Sequence, residues 1–312
     1  MSDTAKLKIG AARLSILTAC GLAVVKLVAG VMTGSLAVLA SAADSLLDIL
    51  MSAVNFLAIR HAEQPADENH SYGHGKFETA ATLVQSGIIS LTGAGILFES
   101  VRRLVRGNVD LARIEGGMIV LLFSVAVSVA ISRHLRQVGR KTESSALQAD
   151  ALHFSMDVYT NLTLVVGLIL INQFDAPWLA PLLSGLVGCY ILYEAVKLVR
   201  HGLRDMLDEE LPVAVRNEVE QLIESHHGEL FDYHNLRTRR AGSQKLMDFH
   251  LTVCRNMTVE AAHEIADELE KKIETAINGA DVTIHIEPCH REACPGQGSC
   301  REAKVTLGGD RS

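Results

Sequence analysis

Hydrophobic residues in the first two thirds of the chain fall into six long runs, each close to the about 20 residues that an α-helix needs to cross a bilayer. This pattern predicts an all-α domain of six transmembrane helices over residues 1–204. No small-residue cleavage site follows the first run, so we expect it to be retained as a span rather than removed as a signal peptide. The runs cover residues 14–33, 36–59, 79–98, 114–132, 147–171 and 178–199.

From about residue 205 charged residues become dense and no further run could span a membrane. Pro212 suits a first helical turn, Gly242 a turn between strands, and Thr258 a helix N-cap. The order of elements is α-β-β-α-β, which predicts a compact cytosolic α+β domain over residues 205–288. The predicted elements are helices at 212–226 and 258–277 and strands at 233–240, 245–254 and 281–288.

The composition agrees with a membrane protein, because 48% of the residues are hydrophobic. A formal net charge of -7 argues against a nucleic-acid partner, since such partners are bound by concentrated Lys and Arg. The six cysteines do not form a disulfide framework, and we expect reduced thiols.

Lysine and arginine are asymmetric between the two sides of the predicted helices. The positive-inside rule then places both termini in the cytoplasm. On the inner side lie Lys6, Lys8, Arg13, Arg60, Lys76, Arg133, Arg136, Arg140, Lys141, Lys197, Arg200 and Arg204; on the outer side lie Arg102, Arg103, Arg106 and Arg113. A third helix longer than its apolar run would account for part of the outer set.

Two predicted spans carry charged pairs at a spacing of four residues. Asp44 and Asp48 share one face of the second span, and His153 and Asp157 share one face of the fifth. Ionised carboxylates inside a membrane are costly and are typical of functional sites. The alternative, a solvated helix end, is disfavoured because apolar residues precede Asp44 and follow Asp48.

Four such side chains from two helices match an oxygen and nitrogen site for a divalent metal such as Zn(II). The empty site holds repelling carboxylates, so protons should replace the metal when it leaves. Metal and protons that compete for the same ligands are the requirement for a proton antiporter. The spacing therefore predicts metal/proton exchange.

Other polar residues in the spans have simpler explanations. Lys26 is expected to extend toward the membrane surface, and Glu99 to lie at a helix end. Asn55, Gln85 and Asn161 either line a polar path or form hydrogen bonds between helices.

The loop between the second and third spans offers Asp67, His70 and His74 within eight residues. Gly73 and Gly75 let the backbone turn so that these side chains can converge. The loop is either a second metal site or an ordinary polar loop.

The ordered motifs "AADSLLD", "QPADENHSYGHGK", "ALHFSMD" and "HNLRTRRAG" resemble those of the cation diffusion facilitator family, in its bacterial zinc/iron/cadmium–proton antiporter type. The resemblance covers about residues 10 to 288. It implies an inner (plasma) membrane transporter whose transport site is Asp44, Asp48, His153 and Asp157. It also implies a loop metal site at Asp67, His70 and His74.

The resemblance further implies a metallochaperone-like cytosolic domain that forms a homodimer and binds zinc. Related members carry Asp where this chain has Glu287, whose longer side chain changes the geometry. Lys76 and Asp208 match a charge pair that joins the membrane and cytosolic parts. The implied cytosolic ligands are His234, His250, His263, His285 and Glu287.

Residues 289–312 read as a flexible tail that contains cysteine and histidine. No standard zinc-knuckle spacing occurs. The tail either captures a soft metal or is idle. Its possible ligands are Cys289, His290, Cys294 and Cys300.

The sequence therefore predicts a Zn(II) exporter, with Cd(II) and Fe(II) as further candidate cargoes. It also predicts protons as counter-ions, zinc as regulatory ligand and no organic cofactor. An exporter of Fe(II) or Mn(II) and a non-transporting metal sensor or buffer are the alternatives. An enzyme is not expected: "HEIAD" at 263–267 has Asp267 where a zinc peptidase has its second histidine.

Overall fold

The structure of the protein is a computed structural model. It describes residues 3–33, 36–106, 118–174, 178–225 and 230–290. The chain divides into two compact units after Met206. We call the first the helical unit and the second, from Leu207 onward, the sheet unit.

The described residues of the helical unit form six α-helices, one for each predicted run. All but α5 are long and apolar enough to be candidate membrane spans. The described helices extend beyond most of the runs, because polar residues at the ends of an apolar segment can continue the helix. They are α1 (Asp3–Thr33), α2 (Leu36–Ala62), α3 (Lys76–Arg106), α4 (Met118–Lys141), α5 (Ser145–Phe174) and α6 (Leu179–Met206).

The third helix is longer than its apolar run, as the distribution of arginines suggested. Glu99 accepts hydrogen bonds from Arg102 at 3.1 Å and from Arg103 at 2.9 Å. These arginines therefore belong to the last turns of α3 and not to a loop.

Two apolar clusters hold the helical unit together. The first joins α1, α2, α4 and α5, and includes Leu135, Leu147 and Phe154. The second joins α3, α5 and α6, and includes Leu152 and Ile191. The helix α5 contributes to both clusters, so its first half is surrounded by other helices.

Helices α3 and α6 approach closely through glycines. A Cβ atom on Gly93 would lie 3.1 Å from Ile191 Cγ2 and 3.3 Å from the Leu192 amide nitrogen. A Cβ atom on Gly188 would lie 3.2 Å from the Leu97 amide nitrogen. Small residues at helix contacts in membranes allow this backbone proximity.

The sheet unit has the predicted order of elements: α7 (Val213–Glu224), β1 (Leu230–Ala241), β2 (Gln244–Val253), α8 (Val259–Ala276) and β3 (Ala280–Pro288). The strands lie in the order β1-β2-β3. β1 and β2 form an antiparallel hairpin in which Gly242 has φ 65°. β3 runs parallel to β2 after the α8 crossover. Thr258 caps α8 by accepting a hydrogen bond from the Ala261 amide.

The core of this unit lies between the helices and one face of the sheet. Phe249 and Leu251 of β2 pack with Leu269 and Ile273 of α8. Burial alternates along β2, so His250 lies on the opposite face from this core.

Candidate metal centres

The first candidate centre joins α2 and α5. His153 Nε2 lies 2.9 Å from Asp48 Oδ1, and the ligand atoms of Asp48, His153 and Asp157 lie within 4.8 Å of one another. His153 is buried, whereas the two carboxylates are partly exposed. Three of the four predicted ligands therefore converge from two helices.

Asp44, the fourth predicted ligand, lies one turn before Asp48 and is exposed. It is not among the three residues whose ligand atoms converge. Two carboxylates and one imidazole form a set of three ligands that leaves further coordination positions open, as metal sites with exchangeable ligands require.

Lys26 is buried, and its amine donates a hydrogen bond to Ser45 Oγ at 2.9 Å. The prediction that Lys26 extends toward the membrane surface is therefore wrong. Ser45 follows Asp44 on α2, and the charge of Lys26 acts on Asp157. The ammonium group thus offsets part of the negative charge of the acidic centre.

Sequence reasoning missed the buried carboxylate of Asp150, which lies one turn before His153 on α5. It accepts hydrogen bonds from Ser15 Oγ at 2.5 Å and from Gln85 Nε2 at 3.4 Å. Asn55 Nδ2 in turn donates to Gln85 Oε1 at 2.6 Å. The spacing of three residues between Asp150 and His153 was the sequence signal that could have indicated this carboxylate.

The structure gives hydrogen-bond partners for three polar residues of the predicted spans, Asn55, Gln85 and Asn161. Asn55 and Gln85 form a hydrogen bond between α2 and α3, which was one of the two alternatives for them. Asn161 donates to the backbone oxygen of Asp157 at 2.8 Å, and so supports the turn of α5 that carries this ligand.

The second candidate centre lies in the loop between α2 and α3. Asp67 Oδ1 accepts hydrogen bonds from the backbone amides of His70 at 2.7 Å and Asn69 at 2.9 Å. The His70 amide is the main cause that holds the pKa of Asp67 below its usual value; burial opposes it, and the Asn69 amide adds to it. The Asp67 carboxylate is therefore well suited to remain ionised.

His74 is oriented toward this carboxylate. Its Nδ1 lies 3.2 Å from the Pro65 carbonyl oxygen and its Nε2 lies 3.3 Å from Asp67 Oδ2. A hydrogen bond from Nδ1 to the carbonyl leaves the lone pair of Nε2 free for a metal. Ligand atoms of Asp67, His70 and His74 lie within 4.8 Å of one another, and Gly73 makes the turn with φ 73°.

The third candidate centre lies on the exposed face of the sheet. The strand register pairs His234 of β1 with His250 of β2, and His250 with His285 of β3. Glu287 lies two residues further along β3. Its Oε1 is 2.7 Å from His250 Nδ1 and 3.7 Å from His285 Nε2, and its Oε2 is 3.3 Å from His234 Nε2. Ligand atoms of His234, His250 and Glu287 already converge within 4.8 Å.

The surroundings of Glu287 favour its ionised form. Partial burial, which alone raises its pKa, is outweighed by the hydrogen bond with His250 and by the nearby His250, His234 and His285, so the pKa of Glu287 is lowered. Despite the changed geometry, the Glu287 carboxylate lies within 4 Å of all three histidines that the strand register aligns.

His263 does not join this group within one chain. It is exposed on α8 near Asp267, and α8 packs on the opposite face of the sheet from His250.

The structure describes some, but not all, of the remaining predicted site residues. Asp208 has φ 56° and lies 3.5 Å from Arg239 of its own unit, and its pairing with Lys76 stays a prediction. Cys289 is buried, and its amide donates to the Val253 carbonyl oxygen, so this residue is attached to the sheet unit. Within residues 230–290, neither Cys289 nor His290 belongs to a converging metal-ligand group. Cys294 and Cys300 lie outside the described residues.

Comparisons with known proteins cover nearly the whole chain. Residues 12–207 match the model of the cation efflux transmembrane domain. Residues 211–289 match the model of the cytoplasmic domain of cation efflux proteins, ZT_dimer.

Among curated proteins, the chain is similar to the cation-efflux pump FieF of Shewanella oneidensis, with 34% identity over 90% of this chain and 94% of that protein. It is also similar to the pump FieF of Klebsiella pneumoniae, with 35% identity over 86% of this chain and 89% of that protein.

Among solved structures, a chain of the transporter CzrB is 39% identical and covers 25% of this chain and 98% of its own length, with a TM-score of 0.25. The metal-bound C-terminal domain of the CzcD transporter from Thermotoga maritima is 24% identical over 26% of this chain and 94% of its own, with a TM-score of 0.24.

Proposed function

This chain belongs to the cation efflux family of integral membrane transporters, which are not enzymes, and we propose that it exports Zn(II) from the cytoplasm in exchange for protons. The observation that carries the proposal is the convergence of Asp48, His153 and Asp157 between α2 and α5. Because α2 and α5 each supply ligands, a relative movement of these helices changes both access and affinity.

The chemistry of the ligands supports exchange with protons. Two aspartates and a neutral imidazole balance the charge of a divalent ion, and Asp44 adds a further carboxylate one turn away. Without the ion, the carboxylates repel one another, and protons relieve this repulsion. The same groups therefore hold either the metal or protons in each half of the cycle.

The other two centres act as regulatory zinc sites in this proposal. The loop site is Asp67, His70 and His74. The sheet site is His234, His250, His285 and Glu287, with His263 available to a second copy of the chain in a homodimer. Zinc bound to the cytosolic domain then biases the membrane helices toward transport.

We propose an inner (plasma) membrane location with both termini in the cytoplasm. The proposed organisation is a transport domain at 1–204, a cytosolic domain at 205–288 and a tail at 289–312. Lys76 and Asp208 are proposed to connect the first two.

The test is zinc flux into proteoliposomes under an imposed pH gradient. Asp48→Ala and His153→Ala should abolish both zinc uptake and zinc-dependent proton release. His134→Ala on α4, an exposed histidine away from the three centres, is the matched control and should transport normally.

Wild-type zinc flux that is insensitive to the pH gradient would exclude antiport. Unchanged flux in both site variants would exclude this transport site. A wild-type protein that binds zinc but shows no zinc flux would favour a non-transporting sensor or buffer. Parallel assays with Cd(II), Fe(II) and Mn(II) decide the cargo.

A further inference from the structure

His61, in the last turn of α2, lies beside the loop centre and has no assigned role. Its ring centroid is 5.0 Å from that of His74 and 4.6 Å from that of Phe77. We propose that His61 is a fourth ligand of the loop centre, which it converts with Asp67, His70 and His74 into a closed zinc site. This inference rests on the proposed loop site and extends it.

The separation of the rings is suited to a shared metal. With a Zn–N distance near 2.0–2.1 Å and a tetrahedral angle, the centroids of two imidazoles on one zinc ion lie about 5.3 Å apart. The His61–His74 separation is 5.0 Å and the His70–His74 separation is 4.5 Å. The His61 and His70 rings therefore each lie at nearly the distance from the His74 ring that two ligands of one ion would have.

The existing hydrogen bonds of the loop centre determine which of its atoms are free to bind a metal. Asp67 Oδ1 is occupied by backbone amides, and His74 Nδ1 faces the Pro65 carbonyl. The metal-facing atoms are thus Asp67 Oδ2 and His74 Nε2. The His61 nitrogens are not among the converging atoms, so the proposal requires that its side chain rotates to direct one of them at the ion.

Charge and position favour this ligand. A neutral imidazole adds coordination without adding repulsion to the single carboxylate of Asp67. His61 also lies at the C-terminal end of α2, where the helix dipole favours a cation. Since Asp48 lies on the same helix, a metal bound through His61 would fix the end of a helix that carries a transport ligand.

The experiment uses the full-length protein with Asp48→Ala, His153→Ala, His234→Ala and His250→Ala, so that the loop centre is the remaining proposed site. Zinc X-ray absorption counts the bound imidazoles, and Co(II) visible absorption reports four-coordination. His61→Phe keeps a ring against Phe77 but removes the nitrogens, and His61→Asn repeats the test without an aromatic ring. His134→Phe on α4 is the matched control.

We expect three imidazoles in the parent and in His134→Phe. We expect two in His61→Phe and His61→Asn, with zinc affinity lowered at least about tenfold and the intense four-coordinate Co(II) bands lost. Two imidazoles in the parent, unchanged by His61→Phe, would overturn the fourth ligand while the loop site itself stands. A parent that binds no zinc would overturn the loop site and, with it, the role of His61.

Discussion

His153 of α5 lies against Asp48 of α2, with His153 Nε2 2.9 Å from Asp48 Oδ1. His153 supplies the nitrogen ligand of a centre whose other ligands are carboxylates. Nitrogen ligands favour zinc, whereas all-oxygen sites suit harder cations such as Mn(II).

His153→Asp should therefore shift selectivity away from Zn(II) and toward Mn(II). The measurement is the ratio of the two fluxes in proteoliposomes, with His134→Asp on α4 as control. An unchanged ratio in His153→Asp would place selectivity outside this centre.

Lys26→Met should strengthen zinc binding by a factor of a few and slow zinc release, because it removes a positive charge that acts on Asp157. Zinc affinity by calorimetry and turnover by flux report the two effects. Ser45→Ala removes the hydrogen-bond partner of Lys26 but keeps the charge, so it should change affinity less. Weaker zinc binding in Lys26→Met would contradict this electrostatic role.

The contribution of Glu287 to zinc binding at the sheet centre should not change between pH 7.5 and 5.5. The lowered pKa of Glu287 means that its charge is present above this lowered value and is lost only as the pH falls through it. The ratio of the zinc affinities of the parent and Glu287→Gln should therefore be the same at pH 7.5 and at pH 5.5.

Calorimetric titrations at several pH values, in full-length protein with Asp48→Ala and Asp67→Ala, measure this dependence. Glu287→Gln should lower affinity at every pH and leave the slope unchanged. A slope that disappears in Glu287→Gln would assign the proton to the glutamate.

Lys8, Glu63 and Glu78 form a buried ion cluster at the ends of α1, α2 and α3. Lys8 Nζ lies 2.5 Å from Glu63 and 3.3 Å from Glu78, and both Lys8 and Glu78 are 1% exposed. Lys8→Met leaves buried carboxylates without their cation and should destabilise the helical unit by about 3 kcal/mol or more.

Thermal unfolding in detergent measures this loss. Lys6→Met breaks an exposed pair with Asp3 and should cost less than about 1 kcal/mol. Equal melting temperatures for Lys8→Met and Lys6→Met would show that the buried cluster adds no stability.

Gly93→Ala should weaken the contact between α3 and α6, because its new methyl group meets Ile191 and the Leu192 backbone. The expected cost is about 1–3 kcal/mol, seen as a lower melting temperature. Gly95→Ala is the matched control on the same helix, since no atom lies within 4 Å of its added Cβ. If both variants melt alike, close packing at Gly93 is not limiting.

The sequence predicted the six helices and the α-β-β-α-β order well, since hydrophobic runs and turn residues are local signals. It also predicted the pairs Asp44/Asp48 and His153/Asp157, because a spacing of four residues fixes a common helix face. The positions of Lys26 and Asp150 could not be predicted in this way. Whether a long polar side chain turns inward depends on partners such as Ser45 and Ser15, which come from other helices.

The same limit applies to the smaller centres. The register that aligns His234, His250 and His285 follows from strand pairing, which depends on residues far apart in sequence. His61 was missed because its neighbour His74 lies at the far end of the loop, and only the fold brings the two rings together.

The first half of α5 is enclosed by other helices, and residues 144–156 are buried apart from a partly exposed Gln148. A helix at the edge of a bundle tolerates change on its outward face, which gives a repeating pattern of permissive positions. This segment has no such face. Saturation mutagenesis should therefore find nearly continuous intolerance across residues 144–156, in contrast to a periodic pattern along α4.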